Sequence, residues 1–145
     1  MAGLDEAPSR LAEMPTWVLN LASLRAHRLL MDALAAVGLR GYDYRVLVAL
    51  HEFGPSSQAS IGRRTQMDAS DVVATINELV ARGYAIRKRD RSDLRRNVIA
   101  ITATGLKHYR QLDRIIVSVQ DQLLSSLDPA ERQTLVNLLR RITES

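Results

Sequence analysis

The chain has 145 residues, no cysteine and a formal net charge of +4. This length suits one domain or a small domain with helical extensions, and the lack of cysteine excludes disulfides and thiolate zinc sites. Hydrophobic residues make up 46% of the chain and aromatic residues 4%, which excludes extensive disorder and predicts an aliphatic core. No apolar run approaches the roughly 20 residues of a membrane span, and the first ten residues are too polar and acidic for a signal peptide. We therefore expect a cytoplasmic protein without a membrane partner.

The first predicted element is a long helix over about residues 11–37. Its apolar side chains recur at helical spacing, at Leu21, Leu24, Leu29, Leu30, Leu34 and Val37. Pro15 marks either the start of this helix or a kink in it, and Gly38 marks its end. A second helix is predicted over about residues 43–53, because Gly54 and the proline after it stop the apolar pattern.

A short helix and a longer one follow in close succession. Ser57 offers an N-cap for the short helix, which runs to about Arg64. Asp68 offers an N-cap for a helix over residues 69–82, and Gly83 closes that helix. Two helices joined by so brief a turn are typical of a helix-turn-helix unit.

The pattern then changes from helical to alternating. Short strands are predicted over residues 84–88 and 97–101, joined by a charged hairpin loop over residues 89–96. Residues 57–97 contain nine basic and five acidic side chains, so their net charge equals the +4 of the whole chain. Charge confined to one segment is expected of a protein that binds a polyanion.

Two further helices complete the chain. Either Thr102 or Thr104 caps a long helix that runs to about Leu127. Asp128 begins the last helix, with a proline at the first helical position and Glu131 three residues after the cap.

These elements predict a mainly α fold with a small β-hairpin wing, that is, a winged helix-turn-helix domain plus a helical dimerisation region. We expect a single domain over residues 1–145, with a DNA-binding lobe at about 43–102. The dimerisation helices are expected at about 11–37 and 103–143. Since the long first helix has no partner in a compact monomer of this order, a core shared between two chains is preferred.

The helix pair and the hairpin have the chemistry needed to bind double-stranded DNA. A short, capped second helix can enter a major groove, and the arginines of a hairpin tip suit phosphates or a narrow minor groove. Base readout is expected to depend on Asn77, Ser70 and apolar contacts to thymine methyl groups. Arg63 and Arg64 are equally compatible with phosphate contacts and with surface solubility. The residues expected to contact DNA are Ser57, Arg63, Arg64, Ser70, Asp71, Val73, Ala74, Asn77, Arg89, Arg91, Asp93, Arg95 and Arg96.

Four short motifs occur in order over residues 54–105. They are a Gly-Pro opening, an Ala-Arg-Gly end to the second helix of the pair, an Asp-x-Arg pair and a Thr-x-x-Gly exit. The last two fall at Asp93 with Arg95 and at Thr102 with Gly105, where Ile101 precedes the threonine. Together these residues resemble the MarR family of bacterial transcription regulators, and the flanking helices fit the family in order and length.

The resemblance implies a homodimer that binds a pseudo-palindromic operator. It implies a transcription regulator and favours a repressor over an activator. A small aromatic or phenolic effector is expected to release this repressor from DNA. By this likeness Arg95 is the wing arginine, Asp93 is the carboxylate that orients it, and Ser70 contacts DNA.

The chain also departs from the family pattern. It has Ala69 and Ala74 on the recognition helix and Leu94 in the wing, where the family often has arginine. A winged-helix protein-interaction module without DNA binding therefore remains an alternative. An enzyme is not expected, because the sequence shows no nucleophile–base pair, metal cluster or phosphate-binding glycine loop, and hence no cofactor site.

Three aromatic residues are candidates for an effector pocket, namely Trp17, Tyr42 and Tyr44. The alternative for them is core packing, the commoner role of buried aromatic side chains. The histidines lack acidic or thiol partners at metal-ligand spacing, so each is expected at the surface or in an interface and no metal site is expected. They are His27, His51 and His108.

Overall fold

Seven α-helices and one β-hairpin make up the described part of the chain. The structure is a computed structural model, and it describes residues 4–145. The helices and strands are α1 (Ser9–Ala12), α2 (Pro15–Ala35), α3 (Gly41–Phe53), α4 (Gln58–Thr65), α5 (Ala69–Ala81), β1 (Ala85–Arg89), β2 (Asn97–Ile101), α6 (Ala103–Leu123) and α7 (Pro129–Thr143). This confirms the predicted mainly α fold with a β-hairpin wing. Within residues 4–145, no helix is long and apolar enough to cross a membrane.

Local sequence signals determine where several helices begin. The predicted start of the long helix at about residue 11 was wrong, because Ser9–Ala12 forms the separate helix α1. Pro15 occupies the first position of α2, so it starts this helix and does not kink it. The hydroxyl of Ser57 accepts a hydrogen bond from the Ser60 backbone N–H at 3.2 Å and thereby caps α4. At the start of α7, Asp128 Oδ1 accepts the Glu131 N–H at 2.8 Å, and Glu131 Oε1 accepts the Asp128 N–H at 2.9 Å. This capping box confirms the predicted helix start.

Helix α6 begins as predicted but ends earlier. Thr102 is its cap, because its hydroxyl accepts the Gly105 N–H at 3.0 Å and donates to the Gly83 carbonyl at 2.6 Å. The predicted end at Leu127 was wrong, since the helix stops at Leu123. The Leu127 N–H instead bonds the carbonyl three residues before it at 2.9 Å, in the tight turn that leads into α7.

The wing is a two-stranded antiparallel hairpin in which Ala85 lies opposite Ile101. Strand β1 starts one residue later than predicted, because the Tyr84 N–H closes α5 by donating to the Leu79 carbonyl at 2.8 Å. The chain before α4 pairs with β2: the Ser56 N–H donates to the Ile99 carbonyl at 2.9 Å, and the Ile99 N–H donates back at 2.7 Å. This bridge attaches the hairpin to the start of the helix pair.

A single aliphatic core lies beneath the helix pair and the wing. Each fully buried aliphatic side chain contributes about 1.5–3 kcal/mol relative to exposure. The almost completely buried residues of this core come from α3, α4, α5, β2 and α6. They are Val46, Leu47, Leu50, Ile61, Val72, Ile76, Leu79, Ile99 and Leu112. This core holds α4, α5 and the wing in one rigid arrangement.

The contacts around Tyr84 correct one expectation and explain one motif. His108 is buried and stacks on the Tyr84 ring, with centroids 4.1 Å apart and planes 9° apart, so the predicted surface or interface position was wrong for this histidine. Burial lowers the pKa of His108, and Arg82 lowers it further. A Cβ on Gly105 would lie 1.9 Å from the Tyr84 carbonyl oxygen, which explains why the Thr-x-x-Gly motif has glycine there. His27 and His51 are exposed.

The chain divides into two compact units, and the dividing points lie inside α2 and α6. The winged unit comprises Met31–Ile116, which is longer than the lobe expected at about 43–102. The terminal-helix unit comprises the described residues up to Leu30 together with Val117–Ser145. The last residues of α2 and the first two-thirds of α6 thus belong to the winged unit.

Candidate nucleic-acid interface

Helices α4 and α5 form the helix-turn-helix of the winged unit. The turn between them contains Gln66 in the left-handed conformation, with φ 53°, and the buried side chain of Met67. Asp68 occupies the N-cap position of α5, as predicted, but its exposed side chain makes no capping hydrogen bond. A groove of about 480 Å³ lies between the two helices, and it is lined by Gln58, Ala59, Gly62, Arg63, Met67, Ala69, Val72 and Val73.

Helix α5, the recognition helix in the sequence prediction, has one buried face and one exposed face. Its buried residues, at helical spacing, are Val72, Thr75, Ile76 and Leu79. Of the residues predicted to contact DNA on this helix, Asp71 is half-buried and the others are exposed, namely Ser70, Val73, Ala74 and Asn77. The core therefore leaves this set available on the surface, and DNA contact by it stays a prediction.

Both predicted arginines of α4 are exposed and have defined contacts. Arg63 Nη2 donates to the Ser60 hydroxyl at 3.1 Å. The Arg64 guanidinium lies over the Phe53 ring, 3.9 Å from its centroid, and Nη1 donates to the Ser56 hydroxyl at 3.5 Å. The ring is a platform for the cation, so Arg64 has a more fixed position than a freely solvated side chain.

Two carboxylates shape the wing loop, which is residues 90–96. Asp90 Oδ1 accepts hydrogen bonds from the Ser92 N–H at 2.9 Å and from the Ser92 hydroxyl at 2.7 Å, and these bonds lower the Asp90 pKa. Asp93 Oδ1 accepts the Arg95 N–H at 3.1 Å and lies 3.5 Å from Arg95 Nε. Asp93 is thus placed to orient the predicted wing arginine. An exposed ion pair of this kind contributes little to stability, so its effect is on geometry.

The wing presents several cationic side chains to solvent. The Arg95 side chain is 95% exposed. Leu94, where the family often has arginine, is 67% exposed at the same tip. The remaining predicted wing arginines are also exposed, namely Arg89, Arg91 and Arg96.

One further arginine, absent from the predicted set, reaches the recognition helix. Arg87 of β1 donates a hydrogen bond from Nη2 to Oδ1 of Asn77. Strand alternation contains the relevant signal, because Arg87 is two residues after the buried Ala85 and therefore lies on the same side of the strand. The sequence alone does not show that this side faces α5.

The three candidate effector residues differ in their surroundings. Trp17 is half-buried in the terminal-helix unit. Tyr42 is 45% exposed in the winged unit, with the Arg45 guanidinium 5.6 Å from its ring centroid. The Tyr44 hydroxyl donates to Asp113 Oδ1 at 2.7 Å; burial is the main cause that raises the Tyr44 pKa, and this bond raises it further. Tyr44 therefore has a packing role, and an effector site at these residues stays a prediction.

The terminal-helix unit exposes many apolar side chains. They lie on α2 and α7 and include Leu19, Leu24, Val136, Leu138, Leu139 and Ile142, each between 37% and 58% exposed. Apolar surface of this extent, on helices with little buried core of their own, is typical of an interaction site.

Known proteins share this sequence pattern and this architecture. A family model described as "MarR family" matches residues 37–96. The transcriptional repressor NicR of Pseudomonas putida is 25% identical over 144 residues, which cover 99% of this chain and 91% of NicR. The structure of BpsR from Bordetella bronchiseptica, a protein whose DNA binding is regulated by 6-hydroxynicotinic acid, aligns with a TM-score of 0.84. The match has 24% identity and covers 92% of this chain and 96% of BpsR.

A third comparison is with the repressor CouR of Rhodococcus jostii, in a structure bound to a 23-mer DNA duplex. It aligns with a TM-score of 0.81 and 24% identity over 99% of both chains. These two solved structures share the fold of this chain. Residues 37–96 match the MarR family, and over 144 residues the chain is similar to the repressor NicR.

Proposed function

We propose that this chain is a homodimeric transcriptional repressor that binds a pseudo-palindromic operator and that a small aromatic or phenolic effector releases. The observation that carries the proposal is the joint placement of the exposed face of α5 and the wing in one rigid unit. The segment that builds this surface, residues 57–97, has the whole net charge of the chain. The repressor activity printed for NicR and the duplex bound by CouR support the same function.

The first test is a gel-shift titration with duplexes from the promoter of the chain's own gene or of a divergent neighbour. We expect binding that weakens steeply as salt rises, because arginines that neutralise phosphates release counterions. No salt-sensitive duplex binding would contradict the proposal and favour the protein-interaction module.

The contribution of the wing can be measured with Arg95→Ala. Loss of a groove-reading arginine should weaken binding by about 1–3 kcal/mol. Arg110→Ala is the matched control for charge, because it also removes one exposed arginine of the winged unit, at a position outside the set predicted to contact DNA. Equal affinities for the two variants would mean that Arg95 is only solvated.

The proposed dimer uses the exposed apolar side chains of the terminal-helix unit. Leu139→Glu, at the centre of the exposed set on α7, should shift the chain to monomers in sedimentation velocity, because an unpaired charge in an apolar interface is costly. It should also weaken operator binding, since each half-site would be bound separately. A wild-type chain that sediments as a monomer at micromolar concentration would contradict the dimer.

The proposed effector is tested by adding small aromatic acids, with 6-hydroxynicotinic acid first, to the wild-type complex with DNA. BpsR responds to that compound, and Tyr42 offers an exposed ring beside the Arg45 cation that could hold such an anion. Release of DNA by one acid, and loss of that response in Tyr42→Ala, is the expected result. Tyr44 is unsuitable for this test because its hydroxyl bond to Asp113 has a structural role.

A further inference from the structure

Asn77 and Arg87 form a contact between the recognition helix and the wing. Asn77 is exposed towards the C-terminal end of α5, and it is the member of the predicted readout set that has an amide. Strand β1 packs against α5. Ala85 faces the core at 1% exposure, and Arg87, two residues on, extends along the same side and donates to Asn77 Oδ1.

The chemistry of the two groups fixes the orientation of the amide. A guanidinium has only hydrogen-bond donors, so its partner on Asn77 must be the carbonyl oxygen and not the NH₂ group. The oxygen therefore faces β1, and the NH₂ group is turned away from it. Because the donor is charged, the bond is roughly twice as strong as one between neutral groups, which favours this orientation in solution.

We propose that Arg87 is a positioning residue for base readout: it holds the Asn77 amide so that the NH₂ group, and not the oxygen, is presented to the edge of a base. This inference rests on the proposed DNA-binding function. Guanine, adenine and thymine each offer an acceptor in the major groove, whereas cytosine offers an amine donor there. Asn77 held in this way selects a base with an acceptor and disfavours cytosine.

The same residue could instead act as one more phosphate contact, and the two roles have different consequences. Removal of a phosphate contact weakens binding to all sequences about equally and lowers the salt slope by about one. Removal of a positioning residue frees the amide to rotate and present either end. Discrimination at one base position is then lost, and the salt slope changes less.

The experiment is in vitro selection from a random-sequence duplex library with the full-length chain. It compares the wild type with Arg87→Met, Arg87→Lys, Asn77→Ala and the double variant Arg87→Met/Asn77→Ala. Lys88→Met is the matched control, because Lys88 is the next residue of β1, is exposed and has the same charge. Affinities for the best selected duplex, and for its variants with cytosine at each position, are then measured by fluorescence anisotropy across a range of salt concentrations.

We expect Arg87→Met and Asn77→Ala to lose discrimination at the same position of each half-site, from about ten-fold to within about two-fold. Combining them should cause little further loss, because both remove one shared interaction. Arg87→Lys, which keeps a charged donor, should retain part of the discrimination. Lys88→Met should lower the affinity and leave the discrimination unchanged.

A second readout needs no DNA. In the free protein, the side-chain NH₂ signals of Asn77 in ¹H–¹⁵N spectra should shift in Arg87→Met and stay unchanged in Lys88→Met. Unchanged Asn77 signals in Arg87→Met would overturn the contact itself. A uniform loss of affinity, with a salt slope lower by about one, would overturn the positioning role. Failure of the wild-type chain to select any sequence would overturn the proposed function, and the inference with it.

Discussion

The carboxyl group of Asp43, in the first turn of α3, is buried beside the end of the recognition helix. Its side chain is 1% exposed, and within the described residues Oδ2 has no hydrogen-bond partner. The Arg82 guanidinium is 3.8 Å away, too far for a hydrogen bond. Burial is the main cause that raises the Asp43 pKa from its usual 3.8 to about 6; Glu78 raises it further, and Arg82 and Arg40 partly oppose the rise.

A raised carboxyl pKa makes the folded state less stable as pH increases. Between about pH 4 and pH 6 the folded chain binds a proton at Asp43 that the unfolded chain has already released. The contribution of Asp43 to stability is therefore fully present below pH 4 and is lost as pH rises through 6. A rise of about two pKa units corresponds to about 3 kcal/mol, at about 1.4 kcal/mol per unit.

Asp43→Asn isolates this effect, because asparagine is close in shape to the protonated acid. The free energy of unfolding of variant and wild type is measured by urea titration from pH 4 to pH 8. The protein concentration is held fixed, because unfolding of the proposed dimer would be coupled to its dissociation. From pH 4 to pH 8, the free energy of unfolding of the variant should increase by up to about 3 kcal/mol relative to that of the wild type. Asp32→Asn, at an exposed position of α2, is the control and should show no such gain.

Two results would refute this account of Asp43. A difference between Asp43→Asn and wild type that is constant from pH 4 to pH 8 would mean that burial does not raise the pKa. A difference that moves against the variant as pH rises would mean that the ion pair with Arg82 outweighs the cost of burial.

Three further substitutions test other parts of the winged unit. Gly105→Ala should destabilise the fold by about 1–3 kcal/mol or more and so lower the melting temperature, because its Cβ would meet the Tyr84 carbonyl at 1.9 Å. An unchanged melting curve would contradict that contact. Ser57→Ala removes the α4 cap and should cost about 1 kcal/mol in urea titrations, whereas Ser92→Ala, in the exposed wing loop, should cost less. Leu94→Arg should leave stability within about 0.5 kcal/mol and steepen the salt dependence of DNA binding by about one unit of slope; an unchanged slope would place the wing tip away from DNA.

The features that sequence analysis predicted well are those determined within one turn of the chain. Ser57 and the capping box at Asp128 fix helix starts through neighbouring backbone groups, and both starts were confirmed. The apolar period of α5 likewise separated its buried face from its exposed one. Features that depend on distant residues were missed. The bridge between Ser56 and Ile99, which attaches the hairpin to the start of the helix pair, is one of them.

Burial of single side chains was the hardest feature to predict. His108 lies between the exposed Lys107 and the half-buried Tyr109, and its imidazole stacks on the ring of Tyr84, which is distant in sequence. The Arg87–Asn77 bond is of the same kind, because it joins two elements whose relative placement depends on the core beneath them. Sequence patterns therefore indicated which surface to consider and could not give the pairing of side chains on it.

The exposed face of α5 has no arginine. Other elements of the winged unit supply guanidinium groups. Arg87 comes from β1 to Asn77, and Arg64, in the last turn of α4, lies over the ring of Phe53. Charge near the proposed readout surface thus does not depend on the recognition helix itself. Substitutions in the loop over residues 90–96 should therefore change affinity and salt dependence, whereas substitutions at Arg87 should change which base is preferred.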